Sequence, residues 1–185
     1  MTNPKPNDFT EHELTSKTVY RGDFLHVVED EVRLPNGATA RREYIRHPGA
    51  VVIVPFLDRE TVLLVRQYRY PVGRHFEEIP AGRAHPGEER LATARRELRE
   101  ECGYEARDWR RLTTLHPCIG YSDESIDLFV ARDLVHAGAQ QLDEGEFLEV
   151  MPVRLREALE WVRAGRITDT KTIIGLLWAD KFRDA

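Results

Sequence analysis

Residues 88–102 hold the pattern that most constrains the fold. Apolar side chains recur there at i, i+3, i+7 and i+11, formed by Leu91, Ala94, Leu98 and Cys102. This spacing predicts a helix with a single apolar stripe, and Gly103 follows where a helix commonly ends in a left-handed residue. Because an apolar face must be buried, the segment predicts a layered fold rather than an isolated helix.

Three glutamates lie on one flank of the same predicted helix. With Leu98 at the centre of the stripe, Glu97 and Glu101 form an i, i+4 pair, and Glu100 lies further round. Three carboxylates within two turns repel one another unless a cation neutralises them, and Mg²⁺ and Mn²⁺ favour oxygen ligands. Arg96 can reach Glu100 at i+4 and limit the repulsion. A solvated acidic face is the alternative, and Glu100 taken alone fits it equally well.

The composition of the 185-residue chain excludes several classes of protein. A net charge of -5 is a poor match to nucleic-acid binding, because phosphate backbones favour a basic protein. The N-terminal residues are polar, and the longest apolar run, residues 50–57, is too short to span a membrane. The two cysteines lack metal-ligand spacing. We therefore expect a cytoplasmic protein that binds neither nucleic acid nor membrane.

The rest of the chain predicts strands around this helix and helices near the C-terminus. Extended segments are expected at residues 51–57, 61–68, 76–79, 110–115, 126–131 and 147–153. A tight antiparallel connection should join the first two. Helices are expected at residues 155–164 and 170–182. The inward face of the second should be formed by Ile173, Ile174, Leu177 and Trp178. This order predicts an α/β sandwich with a mixed sheet over residues 48–185.

A small antiparallel sheet is expected before that sandwich. Asn36-Gly37, a strong hairpin signal, lies between strands predicted at residues 24–34 and 38–46. Residues 1–15 are expected to form a loose arm. The arm and the small sheet together make a first unit, residues 1–47.

The spacing of glycines and charged residues from Gly82 to Tyr104 is more specific than the helix itself. It reads Gly, five residues, Glu, seven residues, Arg-Glu, an aliphatic residue, any residue, Glu-Glu, any residue, Gly and an apolar residue. The matching residues are Gly82, Glu88, Arg96, Glu97, Leu98, Glu100, Glu101, Gly103 and Tyr104. Seven single-letter positions agree by chance with odds on the order of 10⁻⁸ per start. The chain therefore resembles the Nudix hydrolases, although an aliphatic residue is more usual at Tyr104.

This resemblance implies a Nudix-type α/β/α sandwich and Mg²⁺-dependent hydrolysis of a nucleoside-diphosphate compound, with Mn²⁺ as an alternative ion. Glu97, Glu100 and Glu101 would then hold the metal, and Arg96 would belong to the catalytic group. Three stretches outside the pattern are similar to the ADP-ribose pyrophosphatase branch of the family.

The first stretch joins residues 66–70 to residues 78–82. In the branch, an arginine that matches Arg69 holds a phosphate, and an alanine carbonyl that matches Ala81 binds metal. Arginine suits this role because it offers a bidentate fork to phosphate oxygens. Glu78 is a further substrate-binding candidate. The alternative for Arg69 is an exposed strand arginine.

The other two stretches lie downstream. Residues 117–124 begin with the proline typical of ADP-ribose-type substrates, although Pro-Cys-Ile-Gly replaces the usual Pro-Ser-Pro-Gly. Glu124 matches a glutamate near the terminal ribose. Residues 142–150 match an acidic loop that supplies the catalytic base, at the position of Glu146, with Glu144 as the close competitor. A solvated acidic loop is the alternative.

The N-terminal sheet of that branch exchanges between two subunits and helps to build the nucleotide pocket. The resemblance therefore implies a homodimer. It also makes Phe24 a candidate for stacking on the base, with Arg46 nearby. A lone aromatic residue in a strand is otherwise more often part of the core.

The resemblance implies that ADP-ribose is hydrolysed to AMP and ribose 5-phosphate. GDP-mannose and ADP-glucose are alternative substrates for the same chemistry. An 8-oxo-dGTP-cleaning enzyme fits less well, since such chains are usually shorter and lack the N-terminal hairpin. The remaining alternative is a Nudix module that senses a nucleotide without cleaving it. Such modules commonly lose the patterned glutamates, all of which are present here.

Overall fold

The computed structural model describes residues 8–182, which divide into two compact units. One unit contains the described residues up to His47 together with Cys118–Glu124. The other contains Pro48–Pro117 and the described residues from Ser125 onward.

The N-terminal unit is built on a three-stranded antiparallel sheet in the order β1-β2-β3. Its strands are β1 (His12–Arg21), β2 (His26–Arg33) and β3 (Thr39–Arg46). The predicted hairpin is confirmed, and Gly37 turns the chain with φ of 85°. Residues 118–124 extend this unit, since the Ile45 amide donates to the Tyr121 carbonyl at 2.9 Å.

The prediction of a loose arm over residues 1–15 is wrong from His12 onward, because β1 begins there. Residues 1–7 of that arm lie outside the described residues. All ten residues of β1 are exposed, so the strand shows none of the buried alternation by which a sequence reveals a strand. The strand is held instead by antiparallel backbone pairing with β2 along His12–Arg21.

The second unit has two small sheets. A mixed sheet runs in the order β7-β4-β9-β8, and its central pair, β4 and β9, is parallel. An antiparallel sheet runs in the order β10-β5-β6. The strands are β4 (Ala50–Pro55), β5 (Thr61–Arg69), β6 (Arg74–Glu78), β7 (Ala81–Arg83), β8 (Tyr104–Leu115), β9 (Ile126–His136) and β10 (Leu148–Arg154).

The predicted tight antiparallel connection between residues 51–57 and 61–68 is present, but the two strands do not continue as a paired hairpin. β4 and β5 belong to different sheets, and their ends are linked by an isolated antiparallel bridge between Phe56 and Val62 and by the Leu57 amide, which donates to the Thr61 carbonyl at 2.9 Å. Beyond this point β4 pairs with β7 and β9, and β5 pairs with β6 and β10, so the backbone groups of each strand find their partners in other strands.

Helices cover both faces of these strands, which confirms the predicted sandwich and mixed sheet. The helices are α1 (Arg90–Cys102), α2 (Leu155–Arg163) and α3 (Thr170–Lys181). Val51 and Ile53 of β4 join the cluster that contains Leu98 of α1. The alternate residues Val52 and Val54 join the cluster on the other side, which contains side chains of α2 and α3. Among the described residues, no helix combines the length and apolar character that a membrane crossing requires.

The predicted inward face of α3 is wrong: the buried residues lie on the opposite side of the helix, and of the predicted set only Ile173 and Trp178 pack against the core, at its margin. Its buried residues are Thr172, Gly175, Leu176 and Ala179, whereas Leu177 is half exposed. A side chain at Gly175 would place its Cβ 2.7 Å from Ile79 Cδ1. The close approach of α3 to the sheet therefore sets the helix rotation, and the most apolar residues of the helix do not.

Candidate active site

The helix α1 holds the patterned glutamates at fixed positions. Its first turn is capped by the Glu89 side chain, which accepts hydrogen bonds from the amides of Leu91 and Ala92. Its last turn ends at Gly103, with φ of 72° as predicted. Glu97 and Glu101 belong to the buried side of this helix, so two acidic groups point into the protein.

Glu101 is the more deeply buried of the two, with 3% of its surface exposed. Its Oε2 accepts a hydrogen bond from the Ala81 amide at 3.1 Å. Burial, followed by the charges of Glu97 and Glu146, raises the pKa of Glu101 well above its ordinary value. A carboxylate in this position is unfavourable unless positive charge reaches it.

Glu97 lies against the backbone of the loop before α1. A Cβ added at Gly82 would fall 1.8 Å from Glu97 Cδ, so only glycine leaves room for this carboxylate. Burial raises the pKa of Glu97 to about 7, and the charges of Glu100 and Glu146 act in the same direction. Arg96 opposes the shift and does not cancel it.

Arg96 donates hydrogen bonds to three glutamates and one backbone carbonyl. Its Nε and Nη2 donate to Glu88 at 3.0 and 3.1 Å, and Nη1 donates to Glu97 at 2.7 Å and to Glu100 at 2.8 Å. Nη2 also donates to the Arg83 carbonyl at 3.0 Å. The guanidinium lowers the pKa of Glu88 to about 2. Arg96 therefore limits the repulsion on this flank and fastens the loop to the helix.

The carboxylate oxygens on the glutamate flank of α1 are suitable ligands for a hard divalent cation. Among residues 8–182, no three His, Cys, Asp or Glu side chains already form a closed cation cage, and Arg96 Nη1 lies between Glu97 and Glu100. Glu97 and Glu101 nevertheless offer buried carboxylate oxygens whose charges Arg96 leaves partly uncompensated. Oxygen donors with excess negative charge are what Mg²⁺ and Mn²⁺ favour.

Arg69, at the end of β5, is held by a buried carboxylate. Its Nε and Nη2 each donate at 2.7 Å to an oxygen of Glu78, which is 2% exposed. Lys171 also forms an ion pair with Glu78. Both oxygens of Glu78 are thus engaged by protein cations, and the Nη1 side of Arg69 is directed away from Glu78. The negative charge of Glu101 also contributes to raising the pKa of Arg69.

Glu146 and Glu144 differ in their surroundings. Glu146 is partly buried, and its two oxygens accept from Gln67 Nε2 and the Asp143 amide, both at 3.4 Å. Its negative charge acts on Glu97 and on Glu101 and raises the pKa of both. Glu144 is exposed.

The loop that carries Glu146 is tied to the C-terminal end of α1. The Gln141 amide donates to the Glu100 carbonyl at 2.9 Å, and Gln140 Nε2 donates to the Glu101 carbonyl at 2.5 Å. These carbonyls belong to the last turn of the helix, where no partner exists within the helix. The contacts fix the start of the acidic loop relative to the glutamates.

The remaining candidates belong to the N-terminal unit. Phe24 is 58% exposed, which excludes a place in the core, and its ring meets His47 edge-on at 6.4 Å. Glu124 Oε1 lies 3.7 Å from His47 Nε2. Arg46 Nη2 donates to Ser16 Oγ at 3.3 Å.

The sequence reasoning missed Lys171, Gln67 and His47. Lys171 carried a usable signal: a lysine in the first turn of a predicted helix opposes the helix dipole, so it calls for a nearby carboxylate. Gln67 and His47 have no comparable local signal, because their partners lie far away in the sequence.

Two family models match the chain. The NUDIX domain matches residues 46–171, and the nucleoside diphosphate sugar hydrolase N-terminal domain matches residues 11–45. The methanol dehydrogenase activator of Bacillus methanolicus is 38% identical over 91% of each chain. The ADP-ribose pyrophosphatase of Bacillus subtilis is 38% identical over 88% of each chain. A crystal structure of an ADP compounds hydrolase, 24% identical, shares the fold with a TM-score of 0.84 over 96% of each chain. Since the NUDIX model covers most of the sequence and both relatives align over nearly all of it, this chain belongs to the Nudix hydrolase family.

Proposed function

We propose that this Nudix hydrolase cleaves the pyrophosphate bond of ADP-ribose with Mg²⁺, giving AMP and ribose 5-phosphate. The observation that carries the proposal is the pair formed by Glu97 and Glu101, two buried carboxylates with raised pKa values. Such a pair costs free energy in the folded protein unless a cation offsets it. The similarity to an ADP-ribose pyrophosphatase supports the choice of substrate.

Glu97, Glu101, Glu100 and the Ala81 carbonyl are the proposed ligands, and Mn²⁺ suits the same oxygen donors. When bound, the metal lowers the pKa of a water molecule and offsets negative charge on the diphosphate. Arg96 does not need to touch the substrate, because its hydrogen bonds to Glu88, Glu97 and Glu100 already orient the ligands.

Glu146 is the proposed general base. It accepts a proton from the attacking water, whose oxygen forms a bond to one phosphorus while the bridging P–O bond breaks. Glu146 is favoured over Glu144 because its charge reaches both Glu97 and Glu101. Arg69 offers its Nη1 side to a phosphate oxygen and stabilises the charge that develops there.

Substrate roles for Phe24, Arg46 and Glu124 also belong to the proposal. Glu78 is better assigned to holding Arg69 than to contacting substrate, since two cations already occupy its oxygens. A homodimer that exchanges the N-terminal sheet and a cytoplasmic location remain predictions. If Phe24 stacks on the base, F24A raises KM about tenfold and leaves kcat unchanged, because binding is lost equally in ground and transition states.

A substrate panel tests the function. ADP-ribose, GDP-mannose, ADP-glucose, FAD and 8-oxo-dGTP are each incubated with Mg²⁺, and the products are identified by mass. We expect the highest kcat/KM with ADP-ribose and no turnover in chelator. A higher kcat/KM with GDP-mannose would reassign the substrate, and absence of product from all five would favour a nucleotide-sensing module.

The metal assignment is tested with E101Q, matched by E105Q at an exposed position at the start of β8. E101Q should lower kcat by several orders of magnitude, on the order of 10³-fold, because a neutral amide is a poor ligand for Mg²⁺. E105Q should behave as wild type. Near-normal turnover by E101Q would contradict the assignment.

A further inference from the structure

Arg69 belongs to a charged cluster around Glu78 in which the proposed chemistry gives Lys171 no role. Glu78, the last residue of β6, accepts from Arg69 at both carboxylate oxygens, and Lys171 pairs with Oε2, the oxygen that also accepts from Arg69 Nη2. Lys171 Nζ also lies 3.0 Å from Asp169 Oδ2. The cluster thus joins the end of β5, the end of β6 and the first turn of α3.

A lysine is a costly residue at this position. Its side chain is only 16% exposed, so its ammonium group has lost much of its hydration. It also lies in the first turn of α3, where the helix dipole disfavours positive charge. Two carboxylates, from Glu78 and Asp169, offset these costs. A buried ion pair as a whole is often replaceable by apolar side chains without loss of stability, so stability is a weak explanation for the presence of this one.

The first turn of α3 is itself firmly attached. Asp169 caps the helix by accepting from the Thr172 amide at 3.0 Å. The Thr172 hydroxyl donates to Asp169 Oδ2 at 2.5 Å and accepts from the Ile79 amide at 3.0 Å. Ile79 is the residue directly after Glu78. Lys171 therefore contacts Glu78 from a helical turn that is itself hydrogen-bonded to Ile79, the next residue of the chain after Glu78.

We propose that Lys171 is a positioning residue for the hydrolysis: it holds Glu78, and Glu78 holds the guanidinium of Arg69 in the orientation that receives a phosphate. The inference rests on the proposed function, because Arg69 is the phosphate ligand in that function. Glu78 uses the Nε and Nη2 groups of Arg69, which directs Nη1 away from the buried carboxylate. Holding this geometry before the substrate arrives reduces the cost of reaching the transition state.

Removal of Lys171 would change the balance of charge around Glu78. Arg69 would then have to neutralise the Glu78 carboxylate, which is 2% exposed, without the help of this lysine. The carboxylate would then be held by the fork of Arg69 alone, so the two groups could pivot together about the Glu78 side chain. A displacement of about 1 Å at a phosphate ligand can cost on the order of 100-fold in rate.

The test compares K171M with K171R and with K181M, an exposed lysine at the other end of the same helix. Steady-state kinetics with ADP-ribose are measured at several Mg²⁺ concentrations. K171M should lower kcat/KM about 10- to 100-fold, mainly through kcat, and leave the Mg²⁺ concentration for half activation unchanged. K171R should recover most of the loss, because it retains the charge, and K181M should match wild type.

A double-mutant cycle decides whether Lys171 acts through Arg69. If it does, R69A/K171M is no slower than R69A alone. Independent, multiplicative losses would overturn the inference, as would wild-type kinetics in K171M or failure of K171R to recover. If thermal denaturation shows that K171M does not fold, K171Q, which keeps a hydrogen-bond donor, takes its place. Inactivity of the wild type on all substrates would refute the proposed function, whereas an active wild type with an equally active K171M would refute only this inference.

Discussion

At the residue scale, Glu146 and Glu144 lie two positions apart on one loop and differ in what surrounds them. Glu146 is held by Gln67 and the Asp143 amide, and its charge reaches Glu97 and Glu101. We therefore predict that E146Q lowers kcat about 10²- to 10⁴-fold, the usual contribution of a general base. E144Q is the matched control and should remain within about threefold of wild type. Calorimetry should show that E146Q still binds ADP-ribose, and a larger loss in E144Q would exchange the two roles.

Glu97 makes the stability of the metal-free protein depend on pH. Its pKa is about 7 in the folded protein against an ordinary value of 4.5, so the folded state holds the proton more tightly. The stabilisation linked to this proton is complete below about pH 4.5 and is lost as the pH rises through about 7. A shift of this size corresponds to on the order of 3 kcal/mol. Thermal denaturation in chelator should thus give a Tm that falls by several degrees from about pH 6 to pH 8.

Two comparisons test whether Glu97 causes this pH dependence of the Tm. E97Q removes the titrating group, so its Tm should fall less over the same range, whereas the exposed control E105Q should follow wild type. Mg²⁺ should raise the Tm most at the higher pH, because it binds the ionised carboxylates. The same slope in E97Q and wild type would show that another group is responsible.

At the element scale, the approach of β7 to α1 depends on a single missing side chain. A Cβ at Gly82 would lie 1.8 Å from Glu97 Cδ, so G82A must displace either the carboxylate or the strand. We predict a loss of about 100-fold in kcat/KM, since misplacing a ligand by about 1 Å costs that much. G73A is the control: Gly73 has φ of 70° and open space around it, so this variant loses stability without disturbing α1. Equal kinetics in the two variants would contradict the steric argument.

The elements that could be predicted from the sequence are those whose signals are local. The periodic apolar stripe identifies α1, and Asn36-Gly37 identifies the hairpin between β2 and β3. β1 could not be predicted as a strand, because its order comes from pairing with β2 and none of its residues is buried. The rotation of α3 follows from its close contact at Gly175, which apolar periodicity does not reveal.

In the candidate site, too, the residues with local sequence signals could be predicted and those with long-range contacts could not. The glutamates of α1 could be predicted because they lie within two turns of one helix. Lys171 reaches Glu78 across 93 positions, and Gln67 reaches Glu146 across 79. These contacts form only when β5, β6 and α3 pack together, so they cannot be predicted from a short sequence motif.

At the scale of the whole molecule, the exposed strand β1 is relevant to the predicted homodimer. β1 is an edge strand, and its apolar side chains Leu14, Val19 and Tyr20 are 39%, 58% and 56% exposed. A long edge strand with exposed apolar side chains favours pairing with another chain. The exchange of this sheet between two subunits would cover such groups.

We predict that light scattering after size-exclusion chromatography gives twice the mass of the 21.4 kDa chain. V19K/Y20K should shift the protein toward the monomer, because two charged side chains would have to be buried without partners. The matched control is V72K, since Val72 is 62% exposed in the second unit and lies outside the proposed contact. If the nucleotide pocket needs both subunits, kcat/KM of V19K/Y20K should rise with protein concentration as dimers form. A monomeric wild type, or a variant that remains dimeric, would contradict the exchange of the sheet.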